Sequence, residues 1–299
     1  MELGNWSCPG DRRRNDGAPM PHLRRLGVCS WSLQPTSPHD LAAKLKALRV
    51  DACQLALEPL RDSAWQIDET RAVLLDVGVE IRSGMMSMHC EDYSTLETIR
   101  VTGGVRPTQH WRRNLAIARA DALLAGRLKL PLVSFHAGFL PHDPADPERA
   151  TLLERLRAIV DVFEEHGVRV AFETGQESAD TLVAVLDDLA RPSAGVNFDP
   201  ANMLLYGMGE PVDALKKLAP RVRQVHVKDA RRTAQSGTWG SEVTVGTGDV
   251  DWKKFFAVLD AARLDVDLMI EREAGDDRLG DIAKAHALVA RHTSIGARR

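Results

Sequence analysis

The chain has 299 residues, of which 44% are hydrophobic and 27% charged, a balance typical of globular proteins and not of disordered ones. The formal net charge is −3, so no basic field draws the chain to nucleic acid or anionic membranes, and no apolar run reaches the 18 residues of a membrane span. Cys8, Cys29, Cys53 and Cys90 are scattered, with no CxxC pair or Cys/His tract, which argues against a disulfide framework and a structural zinc module and favours a reducing cytoplasm.

The first 22 residues differ in composition from the rest of the chain. They carry Pro, Gly and a triple Arg but lack the apolar core of a secretory signal peptide. We therefore predict a disordered tail over 1–22, with Met20 as an alternative start of translation, and a single folded domain over 23–295.

From residue 25 onward, short runs of Val, Ile, Leu and Ala alternate with longer segments of helical periodicity, which is typical of parallel βα units. Strands are predicted at 26–31, 51–57, 79–86, 130–136, 168–173, 194–199, 222–227 and 265–271. The helices that follow them are predicted at 37–49, 68–78, 111–126, 146–167, 178–190, 211–219, 251–262 and 276–292. Several predicted helices open on Ser or Asp, which cap helix starts well.

Eight strands, each followed by a helix, close most economically into a single (β/α)8 TIM barrel, an α/β fold of about 250 residues. A doubly wound open sheet is the alternative. Two connections that follow strands, 89–110 and 229–250, are long for a barrel. Because loops on this side form the active face of barrel enzymes, we predict that both connections cover a ligand.

Residues able to bind a metal stand at the ends of four successive predicted strands, spaced by 26, 27 and 45 residues: Glu173, Asp199, His226 and Glu271. Strand ends at one rim of a barrel surround the same mouth, where three carboxylates would repel each other without a cation. Three carboxylates and one imidazole suit one divalent ion, Mn²⁺ first and Mg²⁺, Co²⁺ or Zn²⁺ next. Singly, such residues are more often helix caps, ion pairs or core residues, but together they predict a metal.

These strand ends resemble the sugar phosphate isomerase/epimerase superfamily, the xylose isomerase-like barrels that include ketose 3-epimerases and endonuclease IV. The resemblance lies in "AFETGQE", "GVNFDPANMLLYG", "VRQVHVKDA" and "VDLMIEREAG", and it runs through most of 25–290. In enzymes of this kind the matching Glu-Asp-His-Glu set holds one divalent metal, and the two glutamates exchange protons with the substrate. The resemblance therefore implies that Glu173 and Glu271 are catalytic.

One residue departs from this pattern, because ketose epimerases and the nuclease carry a His three residues after the aspartate, where this chain has Asn202. A neutral amide transfers no proton near pH 7 but can bind a hydroxyl, which supports a sugar-like ligand and leaves the ketose-epimerase substrate set open. The loop "KDARRTAQSGTWGSEV" has no His for the extra zinc ligands of the nuclease. We therefore expect no nucleic-acid substrate.

Further residues are predicted to bind the substrate around the same mouth. Strand alternation puts Lys228 on the side of His226, where its ammonium could hold an oxygen of the substrate; a rim ion pair with Asp229 is the alternative. The other candidates are polar residues at strand ends and aromatic residues suited to a sugar ring: His136, Asn202, Glu58, His89, Trp31 and Trp239. Alternation also turns Arg272 towards the helices, where we expect an ion pair.

The expected chemistry is proton transfer next to a carbonyl, through a metal-stabilised enediolate, with one glutamate removing the proton and the other returning it. We predict a sugar isomerase or epimerase in the cytoplasm, with a small-molecule sugar-like substrate, no nucleic-acid or membrane partner, and a homo-oligomeric state as one option. One alternative is a metal-dependent lyase or dehydratase acting on a keto-sugar, an inosose or a dehydroshikimate-like acid. The other is a sugar-binding barrel without catalysis.

Overall fold

A closed barrel of parallel strands forms the centre of the computed structural model, which describes residues 24–235 and 237–292. The strands in these residues are β1 Leu26–Cys29, β2 Ala52–Ala56, β3 Glu80–Met85, β4 Leu132–Phe135, β5 Arg169–Glu173, β6 Ala194–Phe198, β7 Val222–Val227, β8 Asp229–Arg231, β9 Ser241–Val243 and β10 Asp267–Ile270. The barrel order is β1-β10-β7-β6-β5-β4-β3-β2, and β8 and β9 form a separate antiparallel pair. The predicted tail over 1–22 lies outside the described residues.

Helices alternate with the barrel strands along the chain. They are α1 Pro38–Leu48, α2 Glu58–Arg61, α3 Ile67–Asp76, α4 Leu96–Thr102, α5 Trp111–Leu128, α6 Pro147–Glu164, α7 Ala179–Leu189, α8 Pro200–Leu205, α9 Pro211–Leu218, α10 Trp252–Ala261 and α11 Arg278–His292. All eight predicted helices and all eight predicted strands are present, with ends that agree to within three residues. The predicted Ser and Asp caps accept first-turn N–H groups at Ser37, Asp146, Ser178 and Asp251.

Closure of the sheet depends on pairing between the first and last barrel strands. Val28 of β1 is in register with Ile270 of β10 on one side and with Cys53 of β2 on the other. At Gly27 a Cβ atom would lie 2.7 Å from the Ala52 carbonyl oxygen, so only glycine allows β1 this close approach. The TIM barrel prediction is confirmed, and the doubly wound open sheet is excluded. Across the described ranges, no helix combines the length and apolar character needed to cross a membrane.

The short elements α2, α4, α8 and the β8–β9 hairpin were not predicted. Helix α4 lies in the first long connection, and the hairpin lies in the second. Their sequences lack the extended apolar periodicity that predicts helices and strands, since each packs only a few residues against the barrel. Both connections are therefore structured segments.

A polar network fills the barrel interior below the mouth. It consists of five buried side chains from five strands, Gln54, Ser83, Ser134, Asn197 and Gln224, which we call the polar floor. Gln54 donates from Nε2 to Ser134 Oγ at 2.7 Å, and Gln224 donates from Nε2 to Gln54 Oε1 at 2.9 Å. Hydrogen bonding between these groups offsets the cost of burying them.

A single buried carboxylate, that of Asp229, organises the chain after β7. Its Oδ2 accepts from the Gly246 N–H at 2.8 Å and from Trp252 Nε1 at 2.9 Å, and its Oδ1 accepts from the Val250 N–H at 3.3 Å. These bonds tie the end of the second long connection to the start of β8 and thereby fix the hairpin over the barrel mouth.

The Asp229→Asn variant should lose about 1–3 kcal/mol of unfolding free energy, because an amide NH₂ replaces an oxygen that faces buried donors. Urea unfolding followed by circular dichroism measures this loss. The matched control is Asp276→Asn, an exposed carboxylate, which should stay within about 0.5 kcal/mol of the wild type. Equal stability of the two variants would contradict the role assigned to Asp229.

Candidate active site

The four predicted metal ligands meet at the barrel mouth. Glu173 ends β5, Asp199 follows β6, His226 lies in β7 and Glu271 follows β10. One ligand atom from each lies within 4.8 Å of the others, and all four side chains are buried. The strands thus bring together residues that are up to 98 positions apart in the sequence.

Distances within this cluster suit a single ion. His226 Nδ1 lies 3.1 Å from Glu271 Oε2, 3.4 Å from Glu173 Oε1 and 3.8 Å from Asp199 Oδ2. Atoms that share a small divalent cation at about 2.1 Å are themselves about 3–4 Å apart. In the described residues, three of these atoms are buried without a hydrogen-bond partner: Asp199 Oδ2, His226 Nδ1 and Glu271 Oε2. Buried polar atoms that make no hydrogen bond and converge on one point fit a metal ion, and of the three only Glu271 Oε2 lies as close as 3.1 Å to the Lys228 ammonium.

The polar floor holds the Nε2 edge of His226 in place. Gln54 donates from Nε2 to the Gly84 carbonyl oxygen at 3.2 Å, and because a carbonyl can only accept, Gln54 Oε1 is the acceptor end of that amide. His226 Nε2 lies 2.7 Å from this oxygen and 2.9 Å from Asn197 Nδ2, so two amides of the polar floor hold this edge of the ring. Nδ1 faces the three carboxylates, on the side from which it would bind a metal.

Asp199 serves two purposes with its two carboxylate oxygens. Oδ1 accepts from the Asn202 N–H at 3.0 Å and so caps α8, which begins at Pro200. The Asp199 N–H in turn donates to Thr174 Oγ1 at 2.8 Å, which fixes the backbone. Oδ2 is thereby held towards His226, and this explains a carboxylate at the end of a buried strand.

The two glutamates have different neighbours. Glu271 accepts from Trp31 Nε1 at 2.7 Å through Oε1, and its Oε2 lies 3.1 Å from the Lys228 ammonium. Glu173 accepts from Asn202 Nδ2 at 2.9 Å through Oε1, which also lies 3.7 Å from His136 Nε2. A neutral donor therefore orients each carboxylate, and a basic side chain lies beside it.

Burial and charge act against each other in this cluster. Burial raises the pKa of Asp199 to about 6, although Lys228 opposes the shift. Burial also disfavours the charged form of Glu271, but Lys228 and His226 outweigh it and hold the pKa of that carboxyl well below its usual range. The surplus of carboxylates over cationic groups favours binding of a cation.

A cavity of about 700 Å³ opens above the cluster, a size that suits a small ligand. Six of the seven predicted substrate-binding residues line it: Trp31, Glu58, His136, Asn202, Lys228 and Trp239. Glu271 lines it as well, whereas Glu173 contacts the lining residues His136 and Asn202 without being part of the lining itself.

The remaining predicted residue, His89, lies outside this cavity. Its N–H donates to Asn114 Oδ1 at 2.9 Å, and the backbone then turns at Cys90, whose φ is +63°. The His89 ring packs edge-on against His110 at 5.2 Å between centroids. Its position after β3 predicted a substrate contact for His89. The side chain instead packs against His110, outside the cavity.

Other lining residues were not predicted: Glu91, Tyr93, Tyr206, Glu242 and Glu273. Those at 91 and 93 belong to the first long connection and that at 242 to the second, so the predicted position of these connections over the mouth is confirmed. Tyr206 packs against Trp239 at 4.8 Å and extends the predicted aromatic wall. The signal available in the sequence was the length of the connections, which does not specify individual side chains.

Lys228 contacts carboxylates of the site rather than Asp229. Its ammonium lies 2.5 Å from Glu273 Oε2 and 3.1 Å from Glu271 Oε2, so the alternative of a rim ion pair with Asp229 is not observed. Strand alternation thus predicted the direction of this side chain correctly. Its position next to Glu271 links the cavity to the four-residue cluster.

Arg272 points away from the mouth, as predicted. It forms ion pairs with Glu242 of β9 at 2.7 Å and with Asp281 of α11 at 3.0 Å, and all three side chains are buried. Glu242 also accepts from the Glu273 N–H at 2.9 Å. This network connects the hairpin and α11 to the strand end that carries Glu271.

Solved structures with this architecture include sugar-modifying enzymes. The xylose isomerase domain protein of Planctomyces limnophilus is 29% identical, with a TM-score of 0.81 over 91% of this chain and 97% of that one. Two more distant structures share the fold. The probable 3-DHS dehydratase AsbF of Bacillus anthracis is 17% identical (TM-score 0.69, 89% and 99% covered), and a D-allulose 3-epimerase of Methylomonas sp. is 16% identical (TM-score 0.66, 91% and 99% covered).

Two comparisons by sequence bear on the family. The protein YihM of Escherichia coli (strain K12) is 30% identical over 95 residues, which are 31% of this chain and 29% of that protein, so the match spans under a third of the relative's length. A family model described as a xylose isomerase-like TIM barrel matches residues 40–292, most of the chain. With the closed eight-stranded barrel, this match shows that the chain belongs to the xylose isomerase-like TIM barrel family.

Proposed function

We propose that this protein is a divalent-metal-dependent isomerase or epimerase of an uncharged sugar, acting by proton transfer next to a carbonyl. The observation that carries this proposal is the convergence of Glu173 and Glu271 with Asp199 and His226 on one point below a cavity. Two oriented carboxylates beside a cation site supply a base and an acid for the same carbon. The epimerase of Methylomonas supports the proposal through its shared fold.

Charge in the cavity favours an uncharged substrate. Among the described residues, five carboxylates belong to the lining, Glu58, Glu91, Glu242, Glu271 and Glu273, and no arginine does. Within 24–235 and 237–292, Lys228 is the single lysine of that lining, and two of these carboxylates already lie beside it. A phosphate or carboxylate group would meet repulsion here, since anion sites use unpaired cations or free N–H groups. This favours a free sugar over a sugar phosphate or a dehydroshikimate-like acid.

The residues of the chain divide the chemistry between them. Glu271, at the cavity wall, removes or returns a proton, and Trp31 holds its Oε1 in place. Glu173 is the partner carboxylate, oriented by Asn202. Asn202, His136 and Lys228 bind substrate oxygens, and Trp239 and Tyr206 cover the apolar face of the sugar. When bound, a divalent ion, Mn²⁺ in our proposal, would polarise the carbonyl and stabilise the negative charge that follows proton loss.

The test combines metal analysis with solvent exchange. Purified wild-type protein should carry or take up one Mn²⁺ at this centre, and Asp199→Ala should lose it, because this change removes a ligand oxygen and leaves the exposed surface unchanged. Deuterium uptake from D₂O into free ketoses and aldoses, followed by NMR, should occur with the wild type and with the exposed control Asp276→Ala. It should be absent with Asp199→Ala.

Other outcomes would overturn the proposal in recognisable ways. Formation of an alkene or enone product from one of the tested substrates would identify the lyase alternative. The fold shared with the probable 3-DHS dehydratase AsbF supports that alternative. Exchange with a sugar phosphate or an acid but with no free sugar would overturn the charge argument. Binding of sugars without any exchange would indicate a barrel that lacks catalysis.

A further inference from the structure

A second group of metal-binding side chains lies outside the active-site cavity. His89, Cys90 and His110 each place a ligand atom within 4.8 Å of the other two. Cys90 Sγ is 3.1 Å from His89 Nε2, and the rings of His89 and His110 meet edge-on at 86°. None of the three lines the cavity or contacts the four-residue cluster, so the proposed sugar chemistry does not account for them.

This group joins the two ends of the first long connection. His89 and Cys90 lie soon after β3, and His110 directly precedes α5. The chain between them carries Glu91 and Tyr93, which line the cavity. An ion held by all three side chains would keep together the ends of a loop of about twenty residues. The entropic cost of closing a loop of this length is modest.

Local contacts already hold His89 and Cys90 in place. The His89 N–H is bound to Asn114 of α5, and the left-handed backbone at Cys90 brings its thiol back towards the His89 ring. Within residues 24–235 and 237–292, no hydrogen bond involves a ring nitrogen of His110. Its imidazole, which packs edge-on against that of His89, is therefore available for coordination without loss of a hydrogen bond.

Two imidazoles and one thiolate are a different ligand set from the oxygen-rich centre in the barrel. Nitrogen and sulfur ligands favour Zn²⁺ and related borderline ions, and three protein ligands leave a fourth, tetrahedral position for water. We propose that His89, Cys90 and His110 form a second metal site of the zinc type, which clamps the connection 89–110 over the cavity. The scattered cysteines argued against a structural zinc module. Cys90, however, is adjacent to His89 in the sequence and lies close to His110 in the fold.

Cobalt is the probe that separates the two sites. Metal-free wild-type protein titrated with Co²⁺ should bind two equivalents and develop thiolate-to-cobalt charge-transfer absorption. Cys90→Ser should bind one equivalent and lose this absorption, whereas Asp199→Ala should bind one equivalent and keep it. The control Cys29→Ala removes the buried thiol that lies beside His226 and Glu271 of the first site, and it should bind two equivalents with the absorption intact.

Several outcomes would overturn this proposal without affecting the proposed function. They are a single bound equivalent in the wild type that gives no charge-transfer absorption, two equivalents without this absorption, and persistence of the absorption in Cys90→Ser. The clamp itself is tested by limited proteolysis within 91–109, which Zn²⁺ should slow in the wild type and in Asp199→Ala but not in Cys90→Ser. Equal slowing in Cys90→Ser would show that the clamp does not exist.

Discussion

Replacement of Glu271 by Gln should lower deuterium incorporation into the sugar substrate by about 10²–10⁴-fold, the usual contribution of a general acid or base. Gln keeps the shape of the side chain and can still accept from Trp31 Nε1, but it cannot take up a proton at neutral pH. NMR exchange rates at saturating Mn²⁺ measure the effect apart from any loss of metal affinity.

Glu273→Gln is the matched control for this variant. Glu273 lines the same cavity and contacts the same Lys228, but it lies outside the four-residue cluster. We expect its exchange rate to stay within about tenfold of the wild type, since it loses one substrate-side contact and no proton-transfer group. A metal-loaded Glu271→Gln protein as active as this control would remove Glu271 from the mechanism.

The Arg272→Met variant should lose about 3–5 kcal/mol of unfolding free energy, because breaking a buried ion pair leaves its partner charged and uncompensated. Glu242 and Asp281, with side chains 8% and 10% exposed, would both lose the guanidinium between them. Methionine retains most of the side-chain volume, so the loss reports on charge more than on packing. Chemical denaturation followed by circular dichroism gives the value.

Arg191→Met provides the comparison at the surface. Arg191 pairs with Asp161 at 2.5 Å, but these side chains are 31% and 46% exposed, and solvent screens the pair. Its removal should cost no more than about 1 kcal/mol. If both arginine variants lost the same stability, the network around Arg272 would have no special part in holding the hairpin.

The positions of the metal-ligand candidates could be predicted from the sequence because parallel strands end on one rim. Once Glu173, Asp199 and His226 are assigned to strand ends, closure of the sheet brings them together regardless of the loops between them. Successive side chains of a strand point to opposite faces of the sheet. This alternation correctly predicted that Arg272, next to Glu271, points outward to the helices.

Side chains in the connections could not be placed in the same way. His89 was assigned to the cavity from its distance after β3, but a left-handed residue at Cys90 redirects the chain, and no repeating pattern in the sequence indicates such a turn. The pairing of Glu242 with Arg272 depends on how the hairpin folds over the rim, a contact across 30 residues. Periodicity constrains regular elements and leaves these contacts undetermined.

The polar floor has a consequence for how this chain can change over evolutionary time. Five strands share its hydrogen bonds, and Gln54 and Asn197 hold the His226 ring, so one substitution there would disturb a proposed metal ligand and several strands at once. Part of the cavity wall, in contrast, comes from two connections that the barrel does not need for closure. Descendants of this sequence can therefore acquire new substrates by replacing those two segments, while they inherit the same reactive centre unaltered.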